Sequence, residues 1–538
     1  MPTLKASRQG LAKIKQARNE KGWGWSMEED DTCLIEASNV LEPNQNWLPG
    51  GPYAIGISEP TWKRFLAGKQ AINASAFKAY CHVLGLNWEE VVDRTSPAIA
   101  NTHQDWGEEI DISVFYGRTL ELAQLEQCIV AERCRLIALL GMGGIGKTAL
   151  GVKVAQQIQH SFDSLIWRSL RNAPPISEIL ADWIEFLAYG QETDLPETVD
   201  EQISQLIDYL RAKRCLLLLD DVETILRSGE LAGRYREGYQ DYGKLIKRIA
   251  QERHQSCLVV MGRENLKEIV TLAGSTLPVR DLKLRGLPSE DARKILETKG
   301  FSSFPPGWEE FILRYRGNPL ALKIMANTIQ EIFNGDISQF LDQTTFFIGD
   351  ILTNVLNQQY ERLSASEKGI VYCLALENQP ISLSELKANM RFFVSSSAQV
   401  IAALESLKRR SFLEEGTIIE GSEAFFAIQP AIGKYAIDQL IEQVCQDIVN
   451  LMKTRSLDHL GLLKKLSLVK EQELEDVKKF QIRLIPIRLI EQLHLIGKDE
   501  KNLKDQLDEI VLMLNSKPLS TIGYARVNLL YLLNFIEA

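Results

Sequence analysis

Residues Leu136-Ile137-Ala138-Leu139-Leu140-Gly141-Met142-Gly143-Gly144-Ile145-Gly146-Lys147-Thr148-Ala149 decide the fold. Five apolar residues run straight into G-x-x-x-x-G-K-[ST], and an apolar-periodic stretch, Ala149 to His160, follows. Strand, glycine loop and helix in that order form the context in which this pattern cradles phosphate. Gly141, Gly143, Gly144 and Gly146 are expected to turn with positive φ and to let the backbone approach an anion. The amides around Ile145 to Ala149 then point inward, at the positive end of the helix dipole. Lys147 is expected to reach the β- and γ-phosphates, and the Thr148 hydroxyl to take a Mg²⁺ ligand position.

Further strand-like runs lie on either side. Arg135–Leu140, Ser164–Ser169, Cys215–Leu219, Leu258–Met261 and Val279–Leu284 read as strands. Ala149–His160, Ile176–Ala188, Val199–Ala212 and Tyr242–Glu252 read as the helices between them. Apolar strands spaced by helices predict a parallel sheet covered on both faces.

In such a sheet, ligands bind at the carboxyl ends of strands. Leu216 to Leu219 ends in Asp220-Asp221, so Asp220 is expected to hold Mg²⁺ directly or through water. Asp221 either polarises the attacking water or is a solvated acid or helix N-cap. Leu258 to Gly262 ends in Arg263, which either reads the γ-phosphate by charge or is a surface arginine.

The 538 residues are too many for one core. Residues 1–96 read as helical, with apolar residues recurring at Leu11, Ile14 and Ala17 and at Leu34, Ala37 and Leu41. Residues 97–114 read as a linker. From Ser289 on the chain reads mainly as helix, with one weak β-like patch at Phe412 to Ile428. No internal repeat is apparent.

Net charge is −10, which opposes a surface coated all over for nucleic acid. The eight cysteines are scattered, without C-x-x-C or zinc-ligand spacing, and read as buried free thiols in a reducing cytosol. No signal peptide is apparent, and no apolar run approaches the ~20 residues of a membrane helix. A soluble, cytoplasmic protein is therefore expected.

Together these motifs resemble the NB-ARC family of STAND ATPases, which includes plant immune receptors and apoptotic activating factors. Phe115-Tyr116-Gly117-Arg118, followed by Glu121-Leu122, resembles the family's adenine side. Phe162-Asp163 through Trp167-Arg168-Ser169-Leu170 resembles its second strand, and Arg263 its γ-phosphate-sensing arginine. Gly317-Asn318-Pro319-Leu320-Ala321 resembles the turn whose proline packs on the nucleotide. Ser364 to Leu413 resembles the start of its winged-helix domain. Both ends of the chain resemble prokaryotic, especially cyanobacterial, members.

Two positions depart from the family. Met261 and Gly262 stand where Thr or Ser usually precedes the arginine. Ile428-Gln429-Pro430 stands where Met-His-Asp is frequent. Gln429 can donate to the β-phosphate of ADP, but without charge.

The resemblance implies six segments. They are a helix-turn-helix-like domain (1–96), a linker (97–114), the nucleotide-binding domain (115–284), a helical domain (285–345), a winged helix (346–440) and a C-terminal helical domain (441–538). It further implies a switch closed with ADP, opened or oligomerised with ATP, and reset by slow hydrolysis, with self-association and a sensor or effector protein as partners. The apolar run Leu529 to Ile536 would suit an interface. In the family such a segment leads into sensor repeats, so the sensor is expected beyond this sequence or on a partner.

Ile57 to Lys69 resembles the second helix of a repressor-like helix-turn-helix. If it meets DNA, Thr61, Lys63, Arg64 and Lys69 would face the phosphates or base edges. A nucleotide-controlled transcription regulator is thus the alternative. Residues 1–96 carry 11 Lys/Arg and 11 Asp/Glu, net zero, which favours a protein-docking module instead.

Overall fold

The computed structural model describes residues 3–21, 27–43, 45–54, 56–68, 72–92, 103–107, 111–189, 194–301, 306–343, 347–414, 424–469, 485–495 and 500–536. Lys69, residues 97–102 and 108–110 of the expected linker, and residues 415–423 of the β-like patch lie outside them.

Six strands form one sheet: β1 (His103–Asp105), β2 (Leu136–Leu140), β3 (Ser164–Ser169), β4 (Cys215–Asp220), β5 (Cys257–Gly262) and β6 (Val279–Lys283). Their order is β1-β3-β4-β5-β2-β6. β2 pairs in parallel with both β5 and β6, Leu140 standing opposite Gly262 and Lys283. Every residue of β2, β4 and β5 is buried, as the unbroken apolar runs require. β1 lies within the expected linker. Three polar residues carry no apolar signal, yet they pair in parallel with Ser164–Ile166 at the sheet edge.

The chain divides into two compact units. One comprises Met1–Trp106 with Ala155–Ile166 and Ala212–Leu216. Its N-terminal helices, Arg8–Glu20, Met27–Leu41, Glu59–Ala67 and Ala74–Val83, match the periodicity read from the sequence. Ser58 caps Glu59–Ala67 and Gly68 ends it at φ 60°. Trp62, Phe65, Phe77 and Tyr80 are fully buried, with ring centroids 5.0–5.5 Å apart. Of the residues proposed to face DNA, Lys63 pairs with Glu59 of its own helix, and the Thr61 hydroxyl lies 2.8 Å from that of Ser58.

The other unit comprises Gly107–Val154, Trp167–Arg211 and Leu217–Ala538. It holds the glycine loop and the start of helix α1 (Lys147–Ile158), as far as Val154. After the sheet come α2 (Pro319–Ile332), α3 (Asp350–Tyr360), α4 (Ala365–Glu377), α5 (Ser397–Arg409) and α6 (Pro430–Thr454). Ser364 and Glu367 form a capping box that starts α4. Ile381–Ser382 pairs antiparallel with Phe425–Phe426, and Leu413 bridges Ile428. One apolar core runs from Met142 through these helices to Leu533. Among the described residues, no helix is long and apolar enough to cross a membrane.

Candidate functional site

The loop after β2 turns at Gly144 (φ 74°) and Gly146 (φ 97°). Gly143 does not have positive φ, contrary to the sequence expectation. It is glycine for space: a Cβ there would meet Gln359 Nε2 at 2.5 Å and Val355 Cγ1 at 2.6 Å. At Gly144 a Cβ would meet Leu320 Cβ at 2.5 Å. Lys147 opens α1 and is 9% exposed. Its Nζ donates to Gly141 O (3.0 Å) and Met142 O (3.1 Å), curling the loop around the ammonium. Burial holds its pKa below the usual lysine range, with Glu223 the main opposing charge. The first-turn amides of α1, through Thr148 and half-buried Ala149, have no intrahelical acceptor by helix geometry.

β4 delivers Asp220 to the same place. The Thr148 hydroxyl donates to Asp220 Oδ2 at 2.5 Å, and the Asp221 amide donates to Oδ1 at 2.8 Å. Burial, then the neighbouring Asp221 charge, pushes the Asp220 carboxyl up to about 6. Asp221 sits at φ 56° and makes no side-chain cap. Its carboxylate accepts from Ser169 Oγ (2.9 Å) and lies 3.6 Å from Arg171 Nε.

β5 delivers Arg263. Its Nε lies 3.1 Å from Glu223 Oε1, and its amide donates to Glu223 Oε2 at 3.0 Å. Its Cζ is 3.5 Å from the place of a Cβ on Gly143, so Arg263 faces the loop. The next residue, Glu264, is 1% exposed and holds a buried ionic cluster together. It lies 3.2 Å from Arg362 and 3.6 Å from Arg410, and it accepts from the Gly233 amide at 2.7 Å. Arg410 also faces Glu367 at 3.4 Å. This cluster ties the end of β5 to the α3–α5 region.

Of the remaining candidates, Arg118, Leu320 and Gln429 reach the loop or the crevice beside it. Arg118, 4% exposed, donates to Ile145 O (3.0 Å) and pairs with Glu121 (2.7 Å). Phe115 lies beside α1, with Lys153 Nζ 5.9 Å from its ring centroid, and Tyr116 packs on the core. Pro319 starts α2, and the Leu320 amide donates to Gly144 O at 3.3 Å. Gln429 lines a narrow crevice with Met142, Gly143, Asn318 and Ala321.

Three residues at the site escaped the sequence reading. Asn318 caps α2 and donates from Nδ2 to Gly143 O at 3.1 Å; an Asn before an N1 proline was the available signal. Glu223 and Gln359 gave no local signal, since both are placed by tertiary packing. Gln359 is 4% exposed, and among the described residues neither of its amide atoms has a hydrogen-bond partner.

These residues fit a magnesium nucleotide. Thr148 and Asp220 offer the hard oxygens that magnesium prefers. Lys147, Arg263 and the first-turn amides offer donors, and Gln359 turns an unmet amide toward the loop. A second cluster was hidden by its spacing: Cys128, Glu132 and Cys134 have ligand atoms within 4.8 Å of one another. Burial pushes the Cys134 thiol up to about 11 and the Cys128 thiol upward. Arg280 already occupies Glu132 at 2.9 Å. Both features oppose metal binding there.

Comparison with known proteins matches residues 119–228 to the NB-ARC domain. An uncharacterized WD repeat-containing protein of Nostoc sp. is 42% identical over 590 aligned positions, covering 99% of this chain and 46% of that protein. The disease resistance protein RPM1 of Arabidopsis thaliana is 29% identical over 96 residues, 16% of this chain and 10% of that protein. This chain thus spans less than half the length of these relatives. A Walker-type ATPase of Pyrococcus abyssi aligns at 14% identity over 60% of this chain and 96% of its own, with a TM-score of 0.43. A STAND protein with a tetratricopeptide repeat sensor from Pyrococcus horikoshii aligns at 14% identity over 76% and 60%, with a TM-score of 0.32. With its phosphate loop and its strand-end carboxylate, the chain carries an NB-ARC domain over residues 119–228.

Proposed function

We propose that this chain is a nucleotide-operated signalling switch, closed with ADP and opened or self-associated with ATP, which slow hydrolysis resets. One observation carries the reading. Residues of the later helices, Asn318, Leu320 and Gln359, sit directly on the phosphate loop, while Glu264 ties β5 to Arg362 and Arg410. Occupancy of the loop is thereby coupled to the position of the helical segments, here assigned as a helical domain (285–345) and a winged helix (346–440). A ligand shifts such an equilibrium only by its different affinity for the two states.

In this reading Thr148 and Asp220 hold Mg²⁺, which neutralises phosphate charge when bound. Lys147 binds the β- and γ-phosphates, Arg263 the γ-phosphate, and Arg118 braces the loop through Ile145. Phe115, Tyr116, Pro319 and Leu320 enclose the nucleoside. Gln429 contacts the ADP phosphates through a neutral amide, so the ADP lock is weaker than one made by histidine. Asp221 is assigned to polarising water only if it leaves Ser169 and Arg171. The partners are a second copy of the chain and a sensor or effector protein.

The test is to denature the purified protein and identify the nucleotide released, beside Lys147→Ala. Stoichiometric ADP, absent from the variant, supports the resting switch. An empty site, or one carrying GTP, sinks it. A second reading has the N-terminal unit bind DNA, since Lys63 and Arg64 are exposed on the capped helix Glu59–Ala67. Salt-dependent, sequence-specific retention lost in Lys63→Ala/Arg64→Ala would support it. Its absence in wild type would leave the docking module.

A further inference from the structure

Gln359 lies one residue before the end of α3 and is 4% exposed. Among the described residues, neither Nε2 nor Oε1 has a hydrogen-bond partner. An amide buried with both ends unmet is costly, and such groups point to a missing partner. The amide faces the phosphate loop. A Cβ on Gly143 would stand 2.5 Å from Gln359 Nε2 and 3.5 Å from Arg263 Cζ, so amide and guanidinium converge on one loop residue.

The helix carrying it is fixed. The Tyr435 hydroxyl donates to Asn357 Oδ1 at 2.8 Å, and Arg362 pairs with Glu264 at 3.2 Å. Arg263 itself approaches Gln358 Oε1 at 3.5 Å. These contacts hold the helix, and with it the side chain, at the loop. Asp221, the acid nearest the magnesium residues, is instead turned to Ser169 and Arg171.

We infer that Gln359 senses the terminal phosphate of a bound nucleoside triphosphate, Nε2 donating to a phosphate oxygen and Oε1 accepting from the attacking water. This rests on the nucleotide reading above. A glutamine amide suits both tasks, since it donates and accepts without titrating. In the step it serves, the water oxygen bonds to the terminal phosphorus and the bond to the bridging oxygen breaks. The nucleoside diphosphate leaves with that electron pair, and the water proton ends on the phosphate product. Because Gln359 belongs to α3 and not to the sheet, the contact also lets the terminal phosphate pull on the helical segments.

The experiment compares the full chain with Gln359→Leu and Gln359→Glu. Binding of Mg-ADP and of the non-hydrolysable β,γ-imido analogue of ATP is measured by calorimetry, and single-turnover ATP hydrolysis by quench flow. In Gln359→Leu, ADP affinity should stay within about twofold while the triphosphate analogue weakens about tenfold, the loss of one hydrogen bond to a charged group. Hydrolysis at saturating ATP should fall at least about tenfold. Leucine nearly keeps the volume and removes an unmet amide, so this variant should melt no lower than wild type without nucleotide. Gln359→Glu, which adds charge repulsion, should discriminate against the triphosphate further. Equal loss of both nucleotides would mark a packing residue and overturn the inference, as would a wild-type triphosphate-to-diphosphate ratio in both variants. A wild-type chain that binds neither nucleotide would overturn the nucleotide reading itself, and this inference with it.

Discussion

Gly144→Ala measures how closely the helical segment sits on the phosphate loop. Two separate costs should add. The residue has φ 74°, and an alanine held in the left-handed region costs about 1–2 kcal/mol. The new Cβ would also stand 2.5 Å from Leu320 Cβ, 2.8 Å from Leu320 Cδ2 and 3.2 Å from Asn318 Oδ1. Forcing extra volume into such packing costs about 1–3 kcal/mol. The total is roughly 2–5 kcal/mol, and only the second part depends on α2 being docked. Urea unfolding of the full chain, followed by intrinsic fluorescence, reads the sum. Leu320→Gly, which deletes both clashing carbons, separates the parts in a double-mutant cycle. The double variant should recover about 1–3 kcal/mol relative to the summed single changes. A Gly144→Ala protein within about 0.5 kcal/mol of wild type, or a cycle with no coupling, would refute the argument.

Three other expectations are independent of that one. Glu264→Ala leaves Arg410, 3% exposed, with a buried charge short of a partner, so it should destabilise by about 3–5 kcal/mol; a loss below about 1 kcal/mol in the same urea assay would contradict the ionic cluster's role. His254 is held neutral, its Nε2 2.8 Å from Ile249 O and its Nδ1 accepting from the Ser256 amide, and burial depresses its pKa below 6.5. Because the unfolded chain takes up this proton first, stability should be complete above pH 6.5 and fall as pH drops from there toward the depressed value. Melting curves from pH 8 to 5 should show a shallower fall in His254→Gln; identical slopes would argue against it. In the N-terminal unit, Trp62→Ala empties the centre of the aromatic cluster and should cost about 3–5 kcal/mol, checked by loss of near-ultraviolet circular dichroism.

The sheet was legible because its strands are buried on both faces. β3 has the bounds read from the sequence, β2, β4 and β6 differ by one residue at one end, and β5 is longer by one residue at each end. β1 was not legible: His103–Asp105 is polar and half-exposed, so only its edge pairing with β3 defines it. The glycine loop was readable as a pattern, yet the reason for each glycine was not. Gly144 and Gly146 are there for conformation, whereas Gly143 is there for the space that Gln359 and Val355 occupy.

By itself the sequence determined the phosphate loop, the carboxylate at the end of β4 and the alternation of strand and helix. Each is a local pattern of residue type and spacing, and the backbone reads such patterns within a few residues. Only the tertiary structure decided that Arg263 pairs with Glu223, that Asp221 turns to Ser169, and that Gln359 reaches Gly143 across 216 positions of chain. Those contacts arise from how separate helices pack onto the sheet. A buried glutamine on an amphipathic helix looks the same in sequence whether it fills space or faces a phosphate.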